Sequence, residues 1–134
     1  MGSLSDYAEK KVLELLVGKT AFSTPVCYVA LSTADPLDDG SGLVEPGSNY
    51  ARVATAGADW EVATLGAGTI QNANAITFVE ATGSWGTPSH IAFFDNGTKG
   101  AGNMLGYGAI TVPKAVGAGD TLRFAAGDID LSLA

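Results

Sequence analysis

Few side chains in this sequence could support nucleophilic, acid–base or metal chemistry. Cys27 is the only cysteine and His90 the only histidine, and they lie far apart along the chain. A catalytic nucleophile needs a base within hydrogen-bonding reach, and a tetrahedral zinc site needs more ligands than these two residues supply. We therefore expect that the chain is not an enzyme and that it has no catalytic residues, no bound metal and no cofactor. Structural roles are expected for both residues, since each lies in an apolar run typical of a buried strand.

The densest group of carboxylates lies in an irregular segment, residues 35–48, which we predict to be a long acidic loop. It carries Asp35, Asp38, Asp39 and Glu45 among several glycines and prolines. An EF-hand loop places its oxygen ligands at alternating positions, and the spacing here does not match that pattern. The carboxylates therefore indicate a solvated loop, which in a compact domain is either functional or mobile.

A second irregular segment, residues 96–103, is rich in glycine. Gly97, Gly100 and Gly102 could suggest a phosphate-binding loop, but such a loop needs a helix directly after it and none is predicted there. The segment is typical of a turn between two strands. Its Asn96-Gly97-Thr98 sequence is a glycosylation sequon, which would matter only in a secretory pathway.

The composition is that of a folded, acidic domain. The 134 residues are enough for a sizeable core, and we expect a single domain over residues 1–134. A net charge of −7 would repel phosphate groups, so binding to nucleic acid or to anionic lipid is disfavoured. No apolar run reaches the length of a membrane span and no secretion signal begins the chain, so we expect synthesis in a cytoplasm.

One helix is predicted, over residues 6–17. Asp6 is a suitable N-cap with Glu9 three residues later, the arrangement of a capping box, and Gly18 is a suitable C-terminal stop. Four apolar residues of the helix, Ala8, Val12, Leu15 and Leu16, fall on one stripe, and Leu13 lies beside it. We expect this stripe to pack against the domain's own sheet, with contact to another subunit as the alternative.

The rest of the chain predicts a sheet protein organised around residues 90–94. This run is apolar on both faces and is bounded by turn residues, which indicates a buried central strand. Further strands are predicted over residues 26–31, 50–55, 69–78, 104–112, 121–126 and 128–133. In the 104–112 segment, Gly106 and Gly108 indicate a bulge or the close approach of another backbone. The predicted fold class is all-β: an antiparallel, jelly-roll-like β-sandwich of about seven strands with one N-terminal α-helix.

Four large amphipathic aromatic residues are candidates for recognition: Tyr50, Trp60, Trp85 and Tyr107. Close to glycine-rich loops, such side chains could anchor an interface or stack on a sugar ring. They could equally fill the ends of the sandwich as core residues. The sequence leaves both interpretations open.

Several segments spread over the chain carry a family resemblance. In order, they are LSDYAEKKVL (4–13), YVALSTADP (28–36), YARV (50–53), WG (85–86) and HIAFFD (90–95). Together they resemble a family of small structural proteins from tailed-bacteriophage virions, whose members are often described as tail-fibre or tail-fibre-like proteins. The resemblance implies a component of the virion that is made in the cytoplasm of the bacterial host, and it carries no catalytic residue.

Two functions are open for such a virion protein. A fibre needs length or repeats and this chain has neither, so its size favours a capsid cement or decoration protein that binds and stabilises assembled shell subunits. The alternative is a tail-fibre-like or tail-tip module that acts as an adaptor or binds a receptor. The expected partners are other virion proteins, either the major capsid protein or tail proteins, and virion symmetry favours a homo-oligomer such as a trimer. The candidate partner contacts are Tyr7, Lys11, Asp38, Asp39, Leu43, Tyr50, Trp60 and Trp85.

Overall fold

The structure is a computed structural model that describes residues 2–23, 25–63 and 65–133. Within these ranges it contains one α-helix, α1 (Asp6–Leu16), and one turn of 3₁₀ helix, Gly57–Asp59. The strands are β1 (Gly2–Leu4), β2 (Tyr28–Ser32), β3 (Val53–Ala54), β4 (Thr69–Gln71), β5 (Ile76–Thr77), β6 (His90–Phe94), β7 (Met104–Ala109), β8 (Arg123–Phe124) and β9 (Asp130–Ser132). The predicted all-β class with one N-terminal helix is confirmed.

The helix begins with a different cap from the one predicted. Its N-cap is Ser5, whose Oγ accepts a hydrogen bond from the amide of Ala8 at 3.2 Å, so the capping box of Asp6 and Glu9 does not form. Asp6 already lies in the first turn, where its negative charge is next to the positive end of the helix dipole. At the other end Gly18 has a φ of 72°, which confirms the predicted glycine stop.

Seven strands form one curled sheet in the order β3-β2-β6-β7-β1-β9-β4. Neighbouring strands are antiparallel except β1 and β9, which are parallel. Strand β6 occupies the predicted residues 90–94 and lies inside the sheet between β2 and β7, so the central strand is confirmed. Strand β1 was not predicted, since Gly-Ser-Leu has neither the length nor the alternation of a recognisable strand.

A two-stranded ribbon of β5 and β8 forms a second, smaller layer. Ile76, Phe78 and Phe124 from this part of the chain share one hydrophobic core with the main sheet. The single strand predicted over residues 69–78 is therefore wrong, because β4 and β5 lie in different sheets. Asn72 lies between β4 and β5 in the chain. Its buried side chain accepts a hydrogen bond from the Ile129 amide at 2.9 Å and donates to the carbonyls of Asn74 and Ala125, so the chain bends there.

The central strand is buried on both of its faces. Ile91 and Phe93 pack into the main core, whereas Ala92 and Phe94 belong to a smaller core on the opposite side. Leu43 from the acidic loop packs against the smaller core. The loop thus serves as a cover for the outer side of the sheet.

Gly106 in β7 is required by a close approach of neighbouring atoms. A Cβ at this position would lie 2.7 Å from the Ser3 carbonyl oxygen and 2.8 Å from Leu131 Cδ1. The pairing of β6 with β7 shifts next to Gly106: Phe93 pairs with Gly106 but Phe94 pairs with Met104, so Leu105 is passed over. The close approach and the bulge predicted for this strand are both confirmed.

Candidate interface groove

A groove of about 240 Å³ opens where the start of α1, the acidic loop and the turn between β6 and β7 meet. Its walls are Ser5, Tyr7, Asp38, Asp39, Gly40, Leu43, Arg52, Phe94, Gly100, Gly102, Asn103 and Met104. Four of the eight predicted partner contacts, Tyr7, Asp38, Asp39 and Leu43, lie in it together. A second groove of about 330 Å³, next to β8, contains none of the eight.

The floor of the groove is held by a buried ion pair between Arg52 and Glu45. Arg52 Nε donates to Glu45 Oε1 at 2.8 Å and Arg52 Nη2 donates to Glu45 Oε2 at 3.0 Å, so the contact is bidentate. Arg52 Nη1 donates to the carbonyls of Asn96 and Ala101, both at 2.8 Å. The Arg52 side chain is fully buried and that of Glu45 is 3% exposed. One guanidinium therefore ties the acidic loop to the β6–β7 turn.

We call the ion pair of Arg52 and Glu45 the clamp, and neighbouring groups make further contacts with it. The guanidinium carbon of Arg52 lies 3.8 Å from the centre of the Phe94 ring, a cation–π contact. The Gly100 amide and the Tyr50 hydroxyl both donate to Glu45, each at 2.9 Å. Burial raises the pKa of the Glu45 carboxyl, but the hydrogen bonds from Arg52, Gly100 and Tyr50 outweigh it and hold the pKa below its ordinary value.

The acidic loop is also fastened to the sheet and to the helix. The Tyr107 hydroxyl donates to Asp38 Oδ1, and this hydrogen bond to a carboxylate raises the pKa of Tyr107 to about 12. The Asp6 amide donates to the Asp38 carbonyl at 3.1 Å. Asp39 remains exposed, with its carboxylate accepting the Ser41 amide at 2.9 Å. The groove thus has a fixed rim that still presents negative charge to solvent.

The helix next to the groove buries less of its apolar stripe than we expected. Ala8 is 3% exposed, in keeping with packing on the sheet, whereas Leu13, Leu16 and Val17 are 64%, 74% and 78% exposed. Leu13 and Leu16 are three positions apart and share one face of α1, and Val17 is the C-cap residue that directly follows the helix. We call them the exposed helix face. Intramolecular packing therefore accounts for only part of the stripe.

Lys11 and Tyr7 lie on α1 beside the groove and contact each other. Lys11 Nζ is 5.7 Å from the centre of the Tyr7 ring. Lys11 is thus placed near the four predicted contacts that line the groove, although it is not part of the wall.

The three remaining predicted contacts are mainly core residues. Tyr50 is 7% exposed and Trp85 is 2% exposed, and their rings pack edge to face with centres 5.5 Å apart. Trp60 is half-buried, packs on Phe93 and donates its indole N–H to Thr55 Oγ1 at 3.0 Å. Their burial follows from ring packing across the core, so we leave Tyr50 and Trp85 out of the proposed contact surface.

The residues considered for chemistry are separate from the groove. His90 Nδ1 lies 2.8 Å from the Ser89 hydroxyl. Burial raises the pKa of the Cys27 thiol to about 11, although a hydrogen bond with Thr55 lowers this pKa in part. Among the described residues, no group of three or more His, Cys, Asp or Glu side chains is placed to hold a metal ion.

Sequence reasoning missed the main feature of the groove, the clamp between Arg52 and Glu45. The two residues are seven positions apart in segments without a shared periodicity, so nothing local links them. The only signal was an arginine inside an otherwise apolar segment, residues 50–55.

Comparison with family models places the chain among structural proteins of bacteriophage virions, of the fibre type. It belongs to the family described as Podophage GP4 fiber I protein gp80, whose model matches residues 3–132. This confirms the resemblance drawn from the sequence, and the groove and the exposed helix face both lie inside the matched region. A search of curated proteins finds no match. In the described ranges, no helix has the length and apolar character needed to cross a lipid bilayer.

Proposed function

We propose that this chain is a fibre-type component of a phage tail, attached to other virion proteins through the groove and the exposed helix face. The observation that carries the proposal is the match to a fibre-protein family over residues 3–132. This match favours the tail-fibre-like alternative over capsid decoration. The main argument for capsid decoration is the short length of the chain.

The groove suits a partner that brings hydrogen-bond donors or positive charge. Asp39 is exposed at its rim and Asp38 lies beside it, while Leu43 and Phe94 supply an apolar floor. Carboxylates at a rim steer and select partners more than they add affinity. Because the clamp of Arg52 and Glu45 already fixes the loops, little ordering is required when a partner binds.

The exposed helix face supplies the apolar part of the same surface. Leu13, Leu16 and Val17 place three large side chains in water at the C-terminal end of α1. Contiguous exposed apolar groups mark surfaces that associate with other proteins. We propose that this face is covered in the particle by a neighbouring virion protein, including further copies of the chain where the position has rotational symmetry.

On this proposal the chain acts by contact and not by catalysis. The groups that shape the groove, namely the clamp and the pair of Tyr107 with Asp38, hold loops in place. They present no nucleophile beside a base.

Incorporation of surface variants into particles tests the proposal. Asp39→Lys reverses a charge at the groove rim and Leu16→Glu places a charge on the exposed helix face. Glu80→Lys makes a matched charge reversal at an exposed position outside the groove. Variants are first shown to fold by circular dichroism, and their copies per particle are then measured by quantitative mass spectrometry in competition with wild type.

We expect Asp39→Lys and Leu16→Glu to be incorporated about tenfold less than wild type, the effect of losing roughly 1.4 kcal/mol of binding free energy. Glu80→Lys should be incorporated as well as wild type. Equal incorporation of all three variants would show that neither surface contacts the particle.

A further inference from the structure

The turn between β6 and β7 contains an Asn-Gly junction in an unusual setting. Asn96 and Gly97 are both exposed, and Asn96 Oδ1 accepts a hydrogen bond from the Thr98 amide at 2.8 Å. Within the described part of the chain, the Gly97 amide donates no hydrogen bond. A free backbone nitrogen therefore adjoins a side-chain carbonyl that already accepts a hydrogen bond.

We propose that Asn96 is a site of spontaneous deamidation in the folded protein. The Gly97 nitrogen loses its proton to solvent and attacks Asn96 Cγ, so that a new N–Cγ bond forms. The Cγ–Nδ2 bond breaks, and the departing amide nitrogen takes up a proton and leaves as ammonia. Water then opens the cyclic imide at either carbonyl and leaves aspartate or isoaspartate. The net change is the addition of one water molecule and the loss of one ammonia molecule.

Three features of the site favour this reaction. Glycine has no side chain to hinder the attacking nitrogen, and the exposed position supplies the water for ring opening. The Thr98 N–H points at Oδ1, the atom on which negative charge develops in the tetrahedral intermediate, and donors placed in this way stabilise such charge.

The Asp39-Gly40 junction provides a contrast within the same molecule. Asp39 Oδ1 accepts the Ser41 amide at 2.9 Å, which repeats the arrangement at Asn96. The Gly40 amide, however, donates to the Leu37 carbonyl at 3.0 Å. At this junction the nitrogen must lose a hydrogen bond before it can attack.

Deamidation would affect the clamp that holds the groove. The main-chain carbonyl of Asn96 accepts a hydrogen bond from Arg52 Nη1 at 2.8 Å. Isoaspartate places an extra carbon in the main chain at this residue and so displaces the carbonyl, and either product adds a negative charge to the turn. The product should therefore be less stable to urea than the unmodified protein.

Site-resolved peptide mapping by mass spectrometry tests the proposal on the full chain. Wild type and the Asp39→Asn variant, which creates a second Asn-Gly junction, are incubated at mildly alkaline pH, both folded and in urea. In urea, position 96 and position 39 of the variant should convert at similar rates. In the folded protein, position 96 should convert about tenfold faster than position 39, since one hydrogen bond must be lost at the latter.

The other asparagines serve as internal references. Asn72 is fully buried and its side chain makes three hydrogen bonds, so it should keep its amide in the folded protein. The proposal is overturned if position 96 converts in urea but keeps its amide in the folded protein. Conversion of position 39 in the folded variant at the rate of position 96 would overturn the role given to the free Gly97 amide.

Discussion

Replacing Arg52 by alanine should destabilise the protein more than any exposed substitution. The guanidinium is fully buried, makes a bidentate contact with Glu45, donates to two carbonyls and stacks on Phe94. In Arg52→Ala the Glu45 carboxylate is left buried without its counter-charge. The acidic loop and the β6–β7 turn also lose the side chain that joins them.

The expected magnitude follows from the burial of the pair. Removing one member of a buried ion pair costs about 3–5 kcal/mol, because the remaining charge stays desolvated. The hydrogen bonds from Gly100 and Tyr50 to Glu45 remain in the variant and offset part of this loss. We therefore expect the free energy of unfolding to fall by about 3 kcal/mol, the lower end of that range.

Urea denaturation followed by the fluorescence of Trp60 and Trp85 measures this change. Arg123→Ala is the matched control, because Arg123 is exposed and its loss should change the free energy of unfolding by at most about 0.5 kcal/mol. Glu45→Gln and the double variant complete a cycle. The double variant should lose less stability than the sum of the single variants, since the two residues interact directly.

Equal urea midpoints for Arg52→Ala and Arg123→Ala would refute a stabilising role for the buried ion pair. The absence of coupling in the double-mutant cycle would also refute that role, because Arg52 would then act only through the two carbonyls and Phe94.

Three further predictions concern titrating groups. Because partial burial raises the pKa of the Cys27 thiol to about 11, this thiol should react with a maleimide far more slowly in the folded protein at pH 8 than in urea, and equal rates would contradict the raised pKa. Asp38→Asn should lower the pKa of Tyr107 from about 12 towards its ordinary value in an ultraviolet absorbance titration, and an unchanged titration would remove the proposed hydrogen bond. Because the pKa of Glu45 is lower in the folded protein, its ionised carboxylate stabilises the fold at pH values above the ordinary carboxyl pKa. This stabilisation is lost as the pH falls through the pKa that Glu45 has in the folded protein. Urea midpoints should therefore decrease below about pH 4, and they should decrease less in Glu45→Gln.

Local patterns in the sequence were sufficient for the elements that depend on local interactions. The body of α1 and the central strand β6 follow from periodicity and from flanking turn residues. The observed N-cap, Ser5, is one residue before the predicted N-cap, Asp6. Both residue types are good N-caps, and only the position at which the first helical turn begins distinguishes them. The break at Asn72 could not be predicted, because it depends on hydrogen bonds to residues more than 50 positions away.

The groove was predicted as a set of candidate residues but not as a structure. Tyr7, Asp38, Asp39 and Leu43 were selected individually, and only the folded chain brings them to one place. Tyr50 and Trp85 are buried because the aromatic rings pack on one another across the core, a contact that their spacing in the sequence does not show. The partner of Arg52 was likewise set by tertiary structure.

Counting the chain in purified particles is the most direct test of its proposed role in the tail. Quantitative mass spectrometry against labelled peptides gives the number of copies per virion, and gold labelling in electron microscopy gives their position. From the proposed role we expect a few to about a dozen copies located at the tail, as the rotational symmetry of a tail position requires. Copies numbering on the order of hundreds over the capsid, as an icosahedral lattice would hold, or absence from the particle, would contradict it.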